Sequence, residues 1–276
     1  MLDKTRVTAA IWTWGTDTRE QMELAAADVT QIGYRSFESV KAAIYAYDLD
    51  LEAYREVLTK YGINPVSFYF HLPVDGEEDS IFATLDKELE FIAALGVDRI
   101  CLQATGGHPG YGNMSESMLE KELNIIDKFA RRTKSYGITS NLHNHHNTWV
   151  MYENEITNIL DNLGSDIISF APDTAHLVAG LCDPVEIIRK YVDRVNFIHL
   201  KDTATAYLNS EGIASSGMQI YSNFCELGQG IVDFRSIFDI LKSAGYDGPL
   251  CEEIDIPPVG NKESALNNYN YIIENY

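Results

Sequence analysis

The sequence predicts an α/β protein, a single-domain (β/α)8 TIM barrel that spans residues 1–276. Short apolar runs rich in β-branched and aromatic residues alternate with longer segments of helical periodicity along the whole chain. The strand–helix units number eight and recur at roughly 30-residue spacing, as a barrel of about 250 residues requires. Several predicted helices are followed by glycine, which supplies the left-handed cap that turns the chain back toward the sheet.

Each predicted strand is a short run of residues that favour extended backbone. In chain order the strands are VTAAIWTW (7–14), SFESV (36–40), NPVSFYFHL (64–72), RICLQAT (99–105), TSNLHNH (139–145), ISFAPDTAH (168–176), VNFIHLKD (195–202) and PLCEEID (249–255). Helical periodicity predicts helices near 18–31, 50–61, 79–95, 114–136, 153–163, 183–191, 233–245 and 262–275. An open, doubly wound sheet is the alternative arrangement of these elements.

One connection is irregular. Residues 203–232 are rich in serine, glycine, asparagine and aromatic residues, and the segment is far longer than an ordinary βα loop. We expect it to lie over the C-terminal face of the barrel as a lid or a partner surface, with a disordered insertion as the alternative.

Composition excludes several classes of function. A formal charge of −20, from 41 acidic and 21 basic residues, would repel nucleic acid and anionic membranes. The four cysteines form no CxxC pair, which favours free thiols in a reducing compartment over disulfides. Neither a secretory leader nor a membrane-spanning run is visible, so we expect a soluble, cytoplasmic protein.

Polar residues that could bind a metal close the last four predicted strands. They are His143 and His145, Asp173 and His176, His199 and Lys201, and Glu253 and Asp255. Because the C-terminal ends of barrel strands meet at one mouth, we expect these side chains to converge there. Imidazole and carboxylate together suit a divalent ion, with Mn²⁺ expected first and Co²⁺, Zn²⁺ or Fe²⁺ as alternatives.

Each residue also has an ordinary structural interpretation. A single histidine near a strand end is more often hydrogen-bonded than metal-bound. A carboxylate there is often a helix N-cap, and Asp173 or Asp202 could serve in that way. We place His71 in the pocket wall and expect His108 and His146 to be exposed loop residues.

These motifs resemble the xylose-isomerase-like barrel superfamily of sugar isomerases, epimerases and keto-inositol dehydratases over essentially the whole chain. The matching pieces are GITSNLHNHH, PDTAH, IHLKD, FCELGQGIVDF and EEID. The resemblance implies metal ligands at His143, Asp173, His199 and Glu253, and a substrate-contacting histidine at His176.

His143 is a departure from the epimerase pattern, which has glutamate at this position. The change makes a two-glutamate epimerase less favoured, and the LHNHHNT segment is closer to the inosose (keto-inositol) dehydratase branch. A 3-keto C-glycoside deglycosidase subunit and a sugar isomerase or epimerase remain alternatives. An apurinic-site endonuclease is disfavoured because the chain lacks a basic face, and a non-catalytic metal- or sugar-binding subunit is the remaining possibility.

The resemblance leads to a mechanism in which a proton next to a ketone is removed. We expect His145 as the base, with Glu253 as the alternative, while Lys201 or His176 protonates or orients a leaving hydroxyl. Glu226, at the end of the long loop, is expected to close over the substrate, or else to be a solvated turn residue.

Trp12 and Trp14 are expected to form an apolar platform for the C–H face of a sugar, with core packing as the competing use. Neither a glycine-rich phosphate cradle nor an arginine pair is visible in the late loops, which favours an unphosphorylated keto-polyol or sugar. The expected partner is therefore this small molecule, with a homo-oligomer or a partner subunit as further possibilities.

Overall fold

A parallel sheet of eight strands forms the centre of the computed structural model, which describes residues 2–204 and 218–276. The strands of this sheet are β1 (Val7–Ala10), β2 (Ser36–Val40), β3 (Asn64–Pro73), β4 (Arg99–Thr105), β5 (Thr139–His143), β6 (Ile168–Phe170), β7 (Ile198–Leu200) and β10 (Leu250–Glu252). Their order is β6-β5-β4-β3-β2-β1-β10-β7. Parallel bridges from Phe170 to Val195 and from Asp173 to His199 join the two outer strands. The sheet therefore closes, and the predicted (β/α)8 barrel is confirmed.

Helices follow the strands and cover the outside of the barrel. They are α1 (Arg19–Ile32), α2 (Ala42–Tyr45), α3 (Leu51–Tyr61), α4 (Glu78–Phe82), α5 (Leu85–Ala94), α6 (Glu116–Lys134), α7 (Glu153–Asn162), α8 (Thr174–Ala179), α9 (Pro184–Tyr191), α10 (Phe234–Ser243) and α11 (Asn261–Asn275). Gly62 ends α3 with φ +63°, and its N–H donates to the carbonyl of Leu58, so the predicted glycine cap is present there. None of the described helices is long and apolar enough to cross a membrane.

Several barrel strands are shorter than the sequence predicts. The first ends at Ala10, and Trp12–Trp14 form a turn of 3-10 helix. The sixth ends at Phe170, so Asp173 becomes the N-cap of α8 and His176 lies inside that helix. The strands end early because the backbone turns there into the loops at the mouth of the barrel. In these loops the side chains no longer alternate between the two faces of a strand.

The long connection contains structure at both of its ends. Strands β8 (Asp202–Thr203) and β9 (Phe224–Cys225) pair antiparallel, and a 3-10 helix spans Met218–Asn223. The predicted lid over 203–232 falls in part on residues 205–217, which lie outside the described residues.

The barrel interior has an apolar floor. Small and aromatic side chains from its strands pack together there: Ala10, Tyr69, Cys101, Ala171, Phe197 and Cys251. A much larger apolar cluster fills the space between the strands and the surrounding helices.

Candidate metal and catalytic site

Three of the four predicted metal ligands meet at the mouth. Asp173 lies at the start of α8, His199 in β7 and Glu253 directly after β10. One ligand atom from each lies within 4.8 Å of the others, and all three residues are buried. We call these residues the carboxylate group. Oxygen and nitrogen atoms in this arrangement are suited to a divalent transition metal.

The unpaired atoms of the carboxylate group fit such an ion. Among the described residues, Asp173 Oδ2, His199 Nδ1 and Glu253 Oε2 have no hydrogen-bonding partner, although all are buried. Glu253 Oε2 lies 3.0 Å from His199 Nδ1, and Lys201 Nζ lies 3.3 Å from Asp173 Oδ2. Because buried polar atoms are nearly always satisfied, three converging lone pairs indicate a ligand.

His143 is placed differently from the other predicted ligands. Its ring lies at the end of β5, 4.7 Å between centroids from the ring of His199. One of its ring nitrogens lies within 4.8 Å of ligand atoms of Cys101 and His199, whereas Asp173 and Glu253 belong to the carboxylate group. That His143 binds the same ion therefore stays a prediction.

Lys201 lies at the centre of the carboxylates. Its Nζ is 2.5 Å from Glu253 Oε1, 2.9 Å from Asp255 Oδ2 and 3.3 Å from Asp173 Oδ2, and the side chain is fully buried. Burial alone would lower the pKa of Lys201, but the charges of Asp173, Asp255 and Glu253 outweigh it and hold this pKa well above its usual range. The chain thus places a positively charged lysine inside the site.

The two acids of the carboxylate group have unusual proton affinities. Burial raises the pKa of Asp173 to about 7, against the opposing effect of the Lys201 charge. Burial also raises the pKa of Glu253 to about 7, again opposed by Lys201. Acids with a pKa near neutrality in a buried cluster are typical of sites that transfer protons or bind cations.

Glu38, in β2, is a residue of the site that the sequence analysis missed. Its Oε2 lies 2.5 Å from His199 Nε2, and its Oε1 accepts a hydrogen bond of 2.5 Å from Ser67. A carboxylate bound to one ring nitrogen of histidine fixes the ring and its tautomer, which leaves the other nitrogen for a ligand. The available signal was a single acidic residue on the inward face of the otherwise uncharged strand SFESV.

The rings of His145 and His176 lie close together near Lys201, with 3.9 Å between their centroids and a tilt of 39° between their planes. His145 Nδ1 lies 2.8 Å from the carbonyl oxygen of His146 and therefore carries the hydrogen, so its Nε2 holds the lone pair. His176 Nδ1 accepts from the backbone N–H of His146, which leaves a hydrogen on Nε2, 3.2 Å from Lys201 Nζ. Burial lowers the pKa of His145 to about 3 and that of His176 well below its usual range, so both rings are neutral.

Aromatic rings line the mouth, but not all of those that the sequence predicts. The Trp12 ring packs 5.6 Å from the Tyr69 ring and 5.8 Å from the His199 ring, and the His71 ring lies 5.2 Å from Tyr69. The predicted first strand over residues 7–14 is too long, because β1 ends at Ala10, and the platform expected from both tryptophans is wrong for Trp14. Trp14 is instead buried, and its Nε1 donates to Asp28 on α1 at 3.0 Å.

The end of the long connection reaches the site, but Glu226 does not. The Phe224 ring lies 5.1 Å from the His176 ring, and the Tyr221 ring lies 6.3 Å from His145. Glu226 is buried against α11, where its Oε1 accepts from the Ser264 hydroxyl at 3.0 Å. The expectation that Glu226 closes over substrate is therefore not supported by its placement, and it is not a solvated turn residue either.

Two histidines expected on the surface are buried. His146 is 4% exposed. Its backbone carbonyl contacts His145 Nδ1, and its backbone N–H donates to His176 Nδ1. The side chain of His108 is 2% exposed and lies 3.6 Å from Glu155 on α7. Both expectations of an exposed loop residue are wrong, since each loop folds back onto a helix.

Comparisons with known proteins agree with this fold. A family model described as a xylose isomerase-like TIM barrel matches residues 26–270. Inosose dehydratase from Clostridium botulinum (strain Alaska E43 / Type E3) is 26% identical over 275 residues, which covers 92% of this chain and 87% of that relative. Inosose dehydratase from Lacticaseibacillus casei is 26% identical over 196 residues, and this match spans 64% of this chain and only 63% of the relative's length.

A solved structure supports the fold alone. A xylose isomerase-like TIM barrel protein from Mycobacterium smegmatis, crystallised in complex with magnesium, has a TM-score of 0.76 and 17% sequence identity. The alignment covers 97% of this chain and 95% of that chain.

Proposed function

Because the chain belongs to the xylose isomerase-like TIM barrel family, we propose that it is a divalent-metal-dependent dehydratase of the inosose type. In this proposal it removes a proton next to the ketone of an unphosphorylated cyclitol or sugar and then expels a neighbouring hydroxyl as water. The convergence of the carboxylate group with Lys201, His145 and His176 at one buried mouth is the observation that supports it.

Asp173, His199 and Glu253 would hold the ion, with Mn²⁺ expected ahead of Co²⁺, Zn²⁺ or Fe²⁺. When bound, such an ion supplies Lewis acidity that stabilises negative charge on the ketone oxygen as the proton leaves. Glu38 would keep the ring of His199 in a fixed orientation through its contact with Nε2.

His145 is the first candidate for the base. Its Nε2 carries a lone pair because Nδ1 faces the carbonyl of His146, and this lone pair would accept the α-proton. A pKa of about 3 makes the buried ring a weak base before substrate binds. Glu253, whose pKa burial raises to about 7, is the alternative base because general bases work best near the working pH.

Lys201 and His176 are suited to the leaving group. Lys201 Nζ and His176 Nε2 lie 3.2 Å apart, so one substrate oxygen placed beside both nitrogens could accept from both of them. The departing hydroxyl would take its proton from Lys201, and the double bond forms between the two carbons that lose hydrogen and oxygen. The Trp12 ring would pack against the C–H face of the substrate.

The proposal can be tested with 2-keto-myo-inositol in deuterated water. The protein loaded with Mn²⁺ or Mg²⁺ should incorporate deuterium next to the ketone and release an unsaturated product, both observed by NMR after the ion is removed with a chelator. myo-Inositol, which has no ketone, should be unchanged. Exchange without water loss would instead indicate the sugar isomerase or epimerase, and no exchange with this ketone or with 3-keto glucosides would overturn the enzymatic proposal.

Two variants connect the reaction to the proposed residues. His145→Gln should retain the ion and lower α-exchange by about 10²–10⁴-fold, the usual contribution of a general base. Asp173→Asn should lose most of the bound ion with an unchanged circular dichroism spectrum, whereas the exposed Asp239→Asn on α10 should keep it. Full ion binding by Asp173→Asn would show that the ion binds elsewhere.

A further inference from the structure

His143 has two ring nitrogens and no hydrogen bond from either of them among the described residues. The side chain is fully buried, and its two nitrogens are both without a partner. An imidazole in this state leaves at least one hydrogen-bonding group unsatisfied, at a cost of about 1–3 kcal/mol for each such group. The arrangement is therefore explained best by a ligand on the ring.

The groups nearest to His143 include a thiol. Cys101 lies on β4, next to β5 in the sheet, and it is fully buried with its sulfur free of any disulfide. Ligand atoms of Cys101, His143 and His199 lie within 4.8 Å of one another. We call these residues the thiol group. The thiol group shares only His199 with the carboxylate group.

We propose that the thiol group is a second metal-binding position, built for Zn²⁺ or Co²⁺. Two imidazoles and one cysteine sulfur are ligands that these ions prefer, whereas Mg²⁺ and Mn²⁺ favour the oxygens of the carboxylate group. Bonds of about 2.3 Å to sulfur and about 2.0–2.1 Å to nitrogen place the ligand atoms of a tetrahedral site about 3.3–3.6 Å apart. The ligand atoms of the thiol group, all within 4.8 Å of one another, need only a small approach to reach this spacing. On binding, the ion replaces the proton of the Cys101 thiol, which is released to solvent.

His199 makes the two positions alternatives. A neutral imidazole offers one lone pair, so its ring binds one ion at a time. The shared histidine therefore sorts ions by their preferred ligand, with the harder ions in the carboxylate group and the softer ions in the thiol group. The second position does not depend on the proposed reaction, because it rests only on the residues of the thiol group.

The test is a Co²⁺ titration of the reduced, metal-free protein, followed by its absorption spectrum. Bound Co²⁺ should produce a near-ultraviolet charge-transfer band from cysteine sulfur. The band should disappear in Cys101→Ser and remain in Cys182→Ser, whose thiol lies outside both groups. Its absence from the wild-type protein, or its survival in Cys101→Ser, would overturn the proposal.

Two further measurements keep this result free of folding artefacts. X-ray absorption of the Zn²⁺-loaded wild-type protein should show a sulfur neighbour at about 2.3 Å, and a shell of only oxygen and nitrogen would count against the thiol group. Ligand atoms of Cys251 also lie close to those of Glu38 and His199. Loss of the band in Cys251→Ser but not in Cys101→Ser would therefore identify Cys251 as the sulfur ligand and overturn the proposal. Bound Co²⁺ without a sulfur band, in a protein that still catalyses α-exchange, would refute this inference alone.

Discussion

Lys201 and Asp202 are neighbours in the chain and both are fully buried, yet the carboxylates around and at these two positions differ in their hydrogen bonding. The carboxylate of Asp202 accepts four backbone hydrogen bonds, from Thr203 and Val232 on Oδ1 and from Gly228 and Gly230 on Oδ2, at 2.8–3.1 Å. Lys201 lies instead among Asp173, Glu253 and Asp255, each of which keeps a buried oxygen without a hydrogen bond.

The difference separates a structural carboxylate from functional ones. Asp202 binds the end of the long connection through these hydrogen bonds. None of its four donors lies in the first turn of a helix, so the alternative interpretation of Asp202 as a helix N-cap is wrong. Gly230 is required there, since a Cβ at this position would lie 2.3 Å from Asp202 Oδ1. A buried carboxylate held by four backbone N–H groups stabilises the fold, whereas three carboxylates that share one lysine keep lone pairs that are available for a ligand.

The largest expected effect on stability comes from Asp202→Asn. Whichever way the new amide is oriented, its NH₂ group faces two backbone N–H donors that lose their acceptor. Each unsatisfied buried donor costs about 1–3 kcal/mol, so we expect a loss of about 4 kcal/mol in the free energy of unfolding. Urea denaturation followed by circular dichroism measures it.

The matched variant in the site should behave in the opposite way. Asp173→Asn keeps an oxygen that can accept from the N–H of His176 at the start of α8, so we expect the metal-free protein to change by less than about 1 kcal/mol. A loss as large as that of Asp202→Asn would mean that Asp173 is held for stability, and the comparison of the two regions would fail.

A smaller effect is expected from Glu38→Gln, which tests how the site orients its histidine. Glutamine cannot hold the proton-bearing Nε2 of His199 as strongly as a carboxylate does. Loss of such a supporting carboxylate typically lowers metal affinity by about 10–100-fold. Isothermal titration with Mn²⁺ measures this change, and unchanged affinity would show that Glu38 serves the fold instead. Glu120→Gln, on the exposed face of α6, is the control.

The sequence predicts the barrel and most of the mouth, because repeated strands and polar strand ends are local patterns. Asp173, His199 and Glu253 were found in this way. Glu38 and Cys101 were not, since each is one residue inside an apolar strand, and only closure of the barrel brings it to His199. The placement of Trp14, His108 and His146 depends on tight turns and loops that fold back, which periodicity does not describe.

Glu122, on α6, shows that an unsatisfied oxygen alone does not identify a site. It is fully buried, and its Oε1 has no hydrogen-bonding partner among the described residues. Its other oxygen accepts from Asn158 on α7 at 3.4 Å, so both residues lie on the outer helices. Burial, with a further effect of the Glu155 charge, raises the pKa of Glu122 well above its ordinary value of 4.5. No second ligand-type atom converges on it among the described metal-binding groups.

Glu122→Gln should therefore have a small effect on stability, and one that depends on pH. The raised pKa in the folded state means that the protonated acid contributes its stability below the ordinary pKa and loses it as pH rises toward the folded-state value. Glutamine resembles the protonated acid at every pH, so the variant should match the wild-type protein at low pH and exceed it by about 1 kcal/mol at pH 8. Urea unfolding at both pH values measures the difference in the free energy of unfolding, and the control Glu120→Gln should show none. A Glu122→Gln protein that is less stable than the wild type at pH 8 would mean that hydrogen-bonding partners stabilise the Glu122 charge, as they do the carboxylate of Asp202.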